Sequence, residues 1–250
     1  MKGCYRNTMN INNQNSKAKD TTICNIDTVR GCENACESCF AKRNTAITIK
    51  HFEIPVPIAQ YSGKMHPDRY YRFGNFGDSA SNWTHSEQLL AKYGFEKFFC
   101  ITKLQKIDGY TGKFNKLQVS VDPLNAEHFK ITLDNLKILL KKFKDTQIVL
   151  RIRSVKTSNK QIQKRQQQAV DFANKNQLRV LETRVRFVKK DDSIEKYQLD
   201  HTAYAYRKSY LRPAKGQSFL NGVAQHYICD VKEKKCNGCK LCLKLFWEEH

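Results

Sequence analysis

From residue 22 onward, short β-like runs alternate with helix-like runs, an order that predicts repeated βα units around a parallel sheet. The expected strands are 22–29, 70–73, 97–102, 117–122, 147–155 and 178–188. In 117–122, Leu117, Val119 and Val121 alternate with Gln118, Ser120 and Asp122, which predicts an apolar face against helices and a polar face turned into a barrel. In the next helix, Phe129, Leu133, Leu136, Leu140 and Phe143 recur at spacings of four and three, a stripe able to pack on a sheet. Other helices are expected through 40–43, from a cap at Thr84 through 87–91 toward Gly94, and over 161–174. Six such units predict an α/β fold, a partial TIM-like (β/α)6 barrel over residues 22–190. Residues 1–21 are polar without an apolar period and are expected to be a flexible lead-in. Residues 191–250 break the alternation and predict a small, basic, cysteine-rich C-terminal extension.

At 250 residues the chain can bury a sizeable core in one domain with an appendage. No apolar run approaches membrane-spanning length, so no membrane partner is expected. Ten cysteines would suggest disulfides in a secreted protein, but residues 1–7 lack the apolar stretch of a secretion signal. A reducing, cytoplasmic setting is therefore expected, where closely spaced cysteines bind metal or carry redox chemistry more often than they form bridges. A net charge of +20 admits nucleic acid or another anionic partner, and the chain's wealth of Lys, Asn, Gln and Ile equally fits a compositional bias. Both readings stay open.

Cys32, Cys36 and Cys39 place three thiols within eight residues, in the loop expected after the first strand. Three thiolates hold three irons of a cubic four-iron cluster and leave the fourth iron open, whereas a closed structural zinc site takes four ligands. The rival is a zinc knuckle completed from a distance, with Cys4 and Cys24 as candidates, while a lone cysteine such as Cys100 is more often a small buried apolar residue. The C-x3-C-x2-C spacing in this position resembles the radical S-adenosylmethionine (radical SAM) superfamily. The resemblance implies a [4Fe-4S] cluster on Cys32, Cys36 and Cys39 with SAM at the open iron. It further implies reductive cleavage of SAM to a 5′-deoxyadenosyl radical that acts on an unnamed substrate, and a reductant such as a flavodoxin or ferredoxin. The Cys39-Phe40-Ala41 ending and the Phe76-Gly77-Asp78 loop also resemble radical SAM-like proteins of phages. The family's aromatic residue before the third cysteine is Ser38 here, with the aromatic at Phe40, a departure that bears on how the adenine is held.

In a barrel, reacting groups gather at the C-terminal ends of the strands. After the second strand comes Arg72-Phe73-Gly74-Asn75-Phe76-Gly77-Asp78-Ser79, where glycines let backbone approach a ligand. The resemblance implies that Gly77 and Asp78 stand for a Gly-Gly-Glu-type motif binding the SAM amino group; the competing reading is a plain surface turn. Ser120 and Arg153 are the further cofactor-binding candidates. Arg151, Glu182, Arg184 and Arg186 are expected on the same polar interior, where arginine grips carboxylate or phosphate, with mutual salt bridging as the alternative.

Cys229, Cys236, Cys239 and Cys242 supply four thiols, a full set for a second [4Fe-4S] cluster or a tetrahedral zinc. The stretch before them interleaves Tyr204, Tyr206, Arg207, Lys208, Tyr210 and Arg212, which suits either phosphate pairing with base stacking or packing over the barrel. The leading expectation is a radical SAM enzyme. Its rivals are a zinc-containing nucleic-acid-binding protein and a cluster-binding family member without SAM cleavage.

Overall fold

A computed structural model describes residues 8–10, 23–34, 36, 39, 52–62, 65–188, 193–207, 210–213, 217–229 and 241–247. In chain order the strands are β1 (Thr8–Asn10), β2 (Ile23–Asn25), β3 (Val29–Arg30), β4 (Val56–Pro57), β5 (Gln60–Ser62), β6 (Tyr70–Phe73), β7 (Phe98–Thr102), β8 (Lys116–Val121), β9 (Gln147–Ser154), β10 (Arg179–Arg184), β11 (Phe187–Val188), β12 (Tyr204–Arg207), β13 (Tyr210–Pro213) and β14 (His226–Ile228). The helices are α1 (Trp83–Tyr93), α2 (Ala126–Lys142), α3 (Lys160–Lys175), α4 (Ser193–Tyr197) and α5 (Leu241–Trp247).

Seven strands form one sheet in the order β2-β6-β7-β8-β9-β10-β14, and β2 with β6, β6 with β7, β9 with β10 and β10 with β14 run parallel. This spatial order follows the chain without reversal. A doubly wound sheet would reverse at a switch point, so the order is that of an opened barrel within a mixed α/β fold.

Several elements differ from their expected form. The first strand stops at Asn25 because the chain next buries Asp27 and Thr28, whose polar side chains turn it out of the ladder; Val29 and Arg30 then pair with β4 instead. Within the expected lead-in, β1 pairs in parallel with β5. The connection from β7 to β8 carries no helix; Trp83 Nε1 donates to Lys106 O at 2.9 Å and Tyr110 Oη to Phe114 O at 2.8 Å, which fixes it as a loop. The sixth expected strand is two, because after β10 the chain leaves the main sheet and β11 joins β13 and β12 in a small antiparallel sheet. The helix expected through 40–43 lies outside the described residues.

The helices bury what their periodicity offers. On α2 the buried line is Phe129, Thr132, Leu136 and Leu139, with Leu133, Leu140 and Phe143 half-buried, so the core-facing stripe is rotated from the expected one. A threonine counts as polar in a pattern search but its methyl packs like valine's. Helix α1 is capped by Asn82, whose Oδ1 accepts from His85 N at 3.0 Å, and ends at Gly94 with φ +59°. Helix α3 is capped by Asn159 and buries Ile162, Gln166, Ala169, Val170 and Ala173.

The chain forms two compact units, 1–118 with 139–147 and 119–138 with 148–250. The first unit is held by aromatic packing: Phe73 meets Phe95, Phe98 and Phe114 edge-on at 5.1, 6.2 and 5.3 Å between ring centres. The second contains a cluster of Val155, Ile162, Val185, Phe187, Tyr197, Leu199, Tyr204, Leu211 and Phe219. No helix among the described residues is long and apolar enough to cross a membrane.

Candidate functional site

The cysteine loop leaves from Gly31, and its root is fixed by close backbone contacts. Gly31 has φ +84°, and its N–H donates to Phe76 O at 3.1 Å while Cys32 N donates to Phe52 O at 2.7 Å. Gly31 and Gly77 form a parallel bridge. A Cβ on Gly77 would stand 1.8 Å from Val29 O, so only glycine lets the two segments meet. The loop after β6 is therefore a brace under the cysteines.

Two buried carboxylates secure that brace. Asp27 accepts from Asn75 N at 2.6 Å and from Phe76 N at 3.1 Å. Burial pushes its carboxyl up to about 6, against the opposing pull of those two N–H groups and of Arg30 and Arg72. Asp78 accepts from Thr102 Oγ1 (2.7 Å) and Ala80 N (3.0 Å) on Oδ1, and from Lys103 N (2.8 Å) and Asn34 Nδ2 (3.3 Å) on Oδ2. Burial raises its carboxyl too, and the hydrogen bonds oppose the rise. Through Asn34 it reaches the residues between the first two cysteines; at the surface Glu33 pairs with Lys106 at 2.8 Å. Thr28, Ser79 and Ser86 form a buried hydroxyl cluster beside it, with Thr28 Oγ1 at 3.0 Å from Ser79 and 2.7 Å from Ser86.

Cys32, Cys36 and Cys39 are all reduced and half-buried, and Cys39 N donates to Cys36 O at 3.0 Å. Burial pushes the Cys32 thiol up, and the charges of Asp78, Cys36 and Cys39 add to the rise. The three are thus electrostatic neighbours. Among the described residues no group of three or more His, Cys, Asp or Glu side chains is drawn together tightly enough to be a ready-made metal cage. The donor set fits a thiophilic cluster in chemistry, since it offers three soft sulfurs whose protons a metal displaces on binding. Cys24 and Cys100 are buried, Cys24 beside Arg69, and Cys4 lies outside the described residues.

The second unit places the remaining candidates. Ser120 is buried on β8, and Arg153 of β9 is paired to Asp122, Nη1 to Oδ2, at 2.6 Å. Arg151 Nε donates to Thr183 Oγ1 at 2.9 Å. The register sets Leu181 beside Arg151 and Thr183 beside Arg153, so Glu182 and Arg184 lie on the opposite face of the sheet from these arginines, correcting the expectation of one shared interior. Glu182 is fully buried and accepts from Ser154 Oγ (2.6 Å) and Phe219 N (2.8 Å) on Oε1, and from Ser218 Oγ (2.7 Å) on Oε2, with His226 Nε2 at 2.9 Å from Oε2. Arg184 donates to Gln217 O at 3.0 Å, and Arg186 is exposed. Cys229 N donates to Glu182 O at 2.8 Å, and Cys242 lies on α5; Cys236 and Cys239 lie outside the described residues.

Sequence reasoning passed over Asp27, Asn34 and the Glu182–His226 pair. Asp27 carried a signal, an acid directly after the strand run Ile23-Cys24-Asn25-Ile26. The pairing of Glu182 with His226 joins positions far apart in the chain, and no local pattern announces it. Across protein-family models, curated proteins and solved structures, nothing matches this chain.

Proposed function

We infer that the protein is an iron-sulfur enzyme of the radical SAM type, built on a TIM-like partial (β/α)6 barrel with a cysteine-bearing C-terminal extension. Cys32, Cys36 and Cys39 hold a [4Fe-4S] cluster with one open iron. The observation that carries this reading is the trio of reduced, half-exposed thiols in a loop that follows the first strand of a sheet ordered as an opened barrel. When bound, such a cluster supplies the electron for reductive cleavage of SAM, delivered from a flavodoxin or ferredoxin.

The chain's own residues do the positioning. Gly31 and Gly77 let the cysteine loop and the loop after β6 share backbone contacts, and Asp27 holds the latter by two N–H groups. Asp78 has both oxygens committed to four donors, which suits it to orient the cysteine loop through Asn34. Backbone around Gly77 is left as the SAM-facing part of that motif. Ser120 and Arg153 are the SAM candidates of the second unit, and Cys229, Cys236, Cys239 and Cys242 the ligands of a second cluster or a zinc. The net charge of +20 favours one rival, a zinc-containing nucleic-acid-binding protein.

The test is turnover. Anaerobically reconstituted protein, reduced with dithionite and given SAM, is expected to form 5′-deoxyadenosine, and Cys36→Ala to form none. A cluster that binds SAM without cleaving it would mean a family member that has lost the reaction. Absence of any cluster would overturn the reading.

A further inference from the structure

On β8, Gln118 is 0% exposed, and among the described residues neither its Oε1 nor its Nε2 has a hydrogen-bond partner. A buried amide with both ends unmet is unfavourable, because it gives up its hydrogen bonds to water and gains none in return. By contrast, Asn25 Oδ1 in the same unit accepts from Arg72 Nε at 2.8 Å, and the buried Glu87 accepts from Thr111 N at 3.1 Å. Gln118 therefore destabilises the free chain, and a methionine of similar size would fill its place without that cost. A residue kept at such a cost points to a ligand that meets the amide.

Crossovers between parallel strands are right-handed, so in a sheet whose order follows the chain the helices cover one face and the other lines the barrel interior. Tyr71 and Phe73 meet Phe95, just past α1, at 4.9 and 5.1 Å between ring centres, and so mark the helix face of β6. The register sets Asn25, Arg72 and Phe99 in one row on the opposite face. On β8, the neighbour of β7, alternation places Gln118 opposite the apolar Leu117 and Val119, and so on the interior side with that row. An amide presents a donor beside an acceptor in one plane, which matches the hydrogen-bonding edge of a nucleobase, and an aromatic ring such as that of Phe99 suits the face of a base. The net charge of +20 favours a ligand that carries phosphate over a neutral peptide amide. We propose that the interior face around Gln118 binds a nucleobase of a nucleotide or nucleic acid, with the Gln118 amide on the edge of the base. Calling that base the substrate rests on the radical SAM reading; the binding itself does not.

The test uses the full-length chain without iron or SAM, titrated with the four ribonucleoside monophosphates, a short labelled single-stranded oligonucleotide and a blocked dipeptide. Binding of a monophosphate identifies a free nucleotide as the ligand, and binding of the oligonucleotide alone identifies a base within a strand. In either case association is expected to be slower than diffusion allows, because the amide is closed off from solvent in the free chain. Gln118→Met is expected to weaken that binding by at least about tenfold while raising the melting temperature of the free chain by about 3 °C. A merely structural glutamine would not move the two readouts in opposite directions. The proposal is wrong if the wild type binds none of the nucleotide probes, whether or not it binds the dipeptide, or if Gln118→Met binds them as the wild type does. It is equally wrong if Gln118→Met melts below the wild type, which would show that the amide has a partner in the free chain. In reconstituted protein saturated with SAM the base is expected to bind still. Its displacement by SAM would place Gln118 in the SAM site and overturn the proposal, whereas failure to form a cluster would overturn only the radical SAM reading.

Discussion

Asp27 sits 1% exposed where the first strand ends, and its carboxyl titrates near 6 in place of 3.8 because burial disfavours the charge more than two N–H donors restore it. A carboxyl raised on folding stabilises the fold most below its unfolded value, and that contribution is lost as pH climbs through about 6. Asp27→Asn removes the titration. Between about pH 4 and pH 8 the wild type is expected to lose up to roughly 3 kcal/mol that the variant does not, read as denaturant midpoints at the two pH values. Equal slopes for the two proteins would contradict this. Gly77→Ala sets a methyl against Val29 O and forces the two loops apart; a destabilisation of more than about 3 kcal/mol and poorer iron uptake are expected, and an unchanged melting temperature would refute the brace. At this scale Gly77 and Asp78 are visible in the sequence only as a glycine and an acid in the loop after β6, and the commitment of Asp78 to four donors depends on Thr102, Lys103, Ala80 and Asn34 converging from three parts of the chain.

Secondary structure was the most legible level, and the reason is local. The second strand falls at Tyr70–Phe73 as expected, and in β8 Leu117, Val119 and Val121 are each 0% exposed, while Gln118, Ser120 and Asp122 between them are buried too, so the strand is covered on both faces. Caps were harder to read. Thr84 has the right chemistry, yet Asn82, two residues earlier, accepts the N–H of His85 in the first turn of α1. Asn82→Ala is therefore expected to cost about 1 kcal/mol and Thr84→Ala less than about half of that, by thermal or chemical denaturation; the reverse ranking would return the cap to Thr84. The loop between β7 and β8 is pinned by Trp83 and Tyr110, which carry no mark of their partners in the sequence.

Over the whole molecule, the seven-stranded sheet takes its last strand from residues 226–228, within the expected C-terminal extension. Residues after 190 looked irregular because β14 is only three residues long and its pairing partner, β10, lies more than forty positions earlier. Ending the chain at Gln225 is expected to cost at least about 3 kcal/mol, because it strips the edge of β10 and takes His226 from the buried Glu182 carboxylate. A shortened chain as stable as the full one would show the extension to be a true appendage. The net charge of +20 was legible from composition, but the pairing of Arg153 with Asp122 and of Arg165 with Pro123 O emerges only when β8, β9 and α3 are placed.

The central claim is that the thiols at Cys32, Cys36 and Cys39 hold an iron-sulfur cluster with an open iron. Iron, acid-labile sulfide and zinc per chain, measured after anaerobic reconstitution of the wild type and of the triple Cys→Ala variant at those positions, test it most directly. The account predicts that the variant loses about four irons and four sulfides relative to the wild type, leaving either about four irons or one zinc on the C-terminal cysteines. Zinc without iron-sulfur absorbance in the wild type would contradict the account.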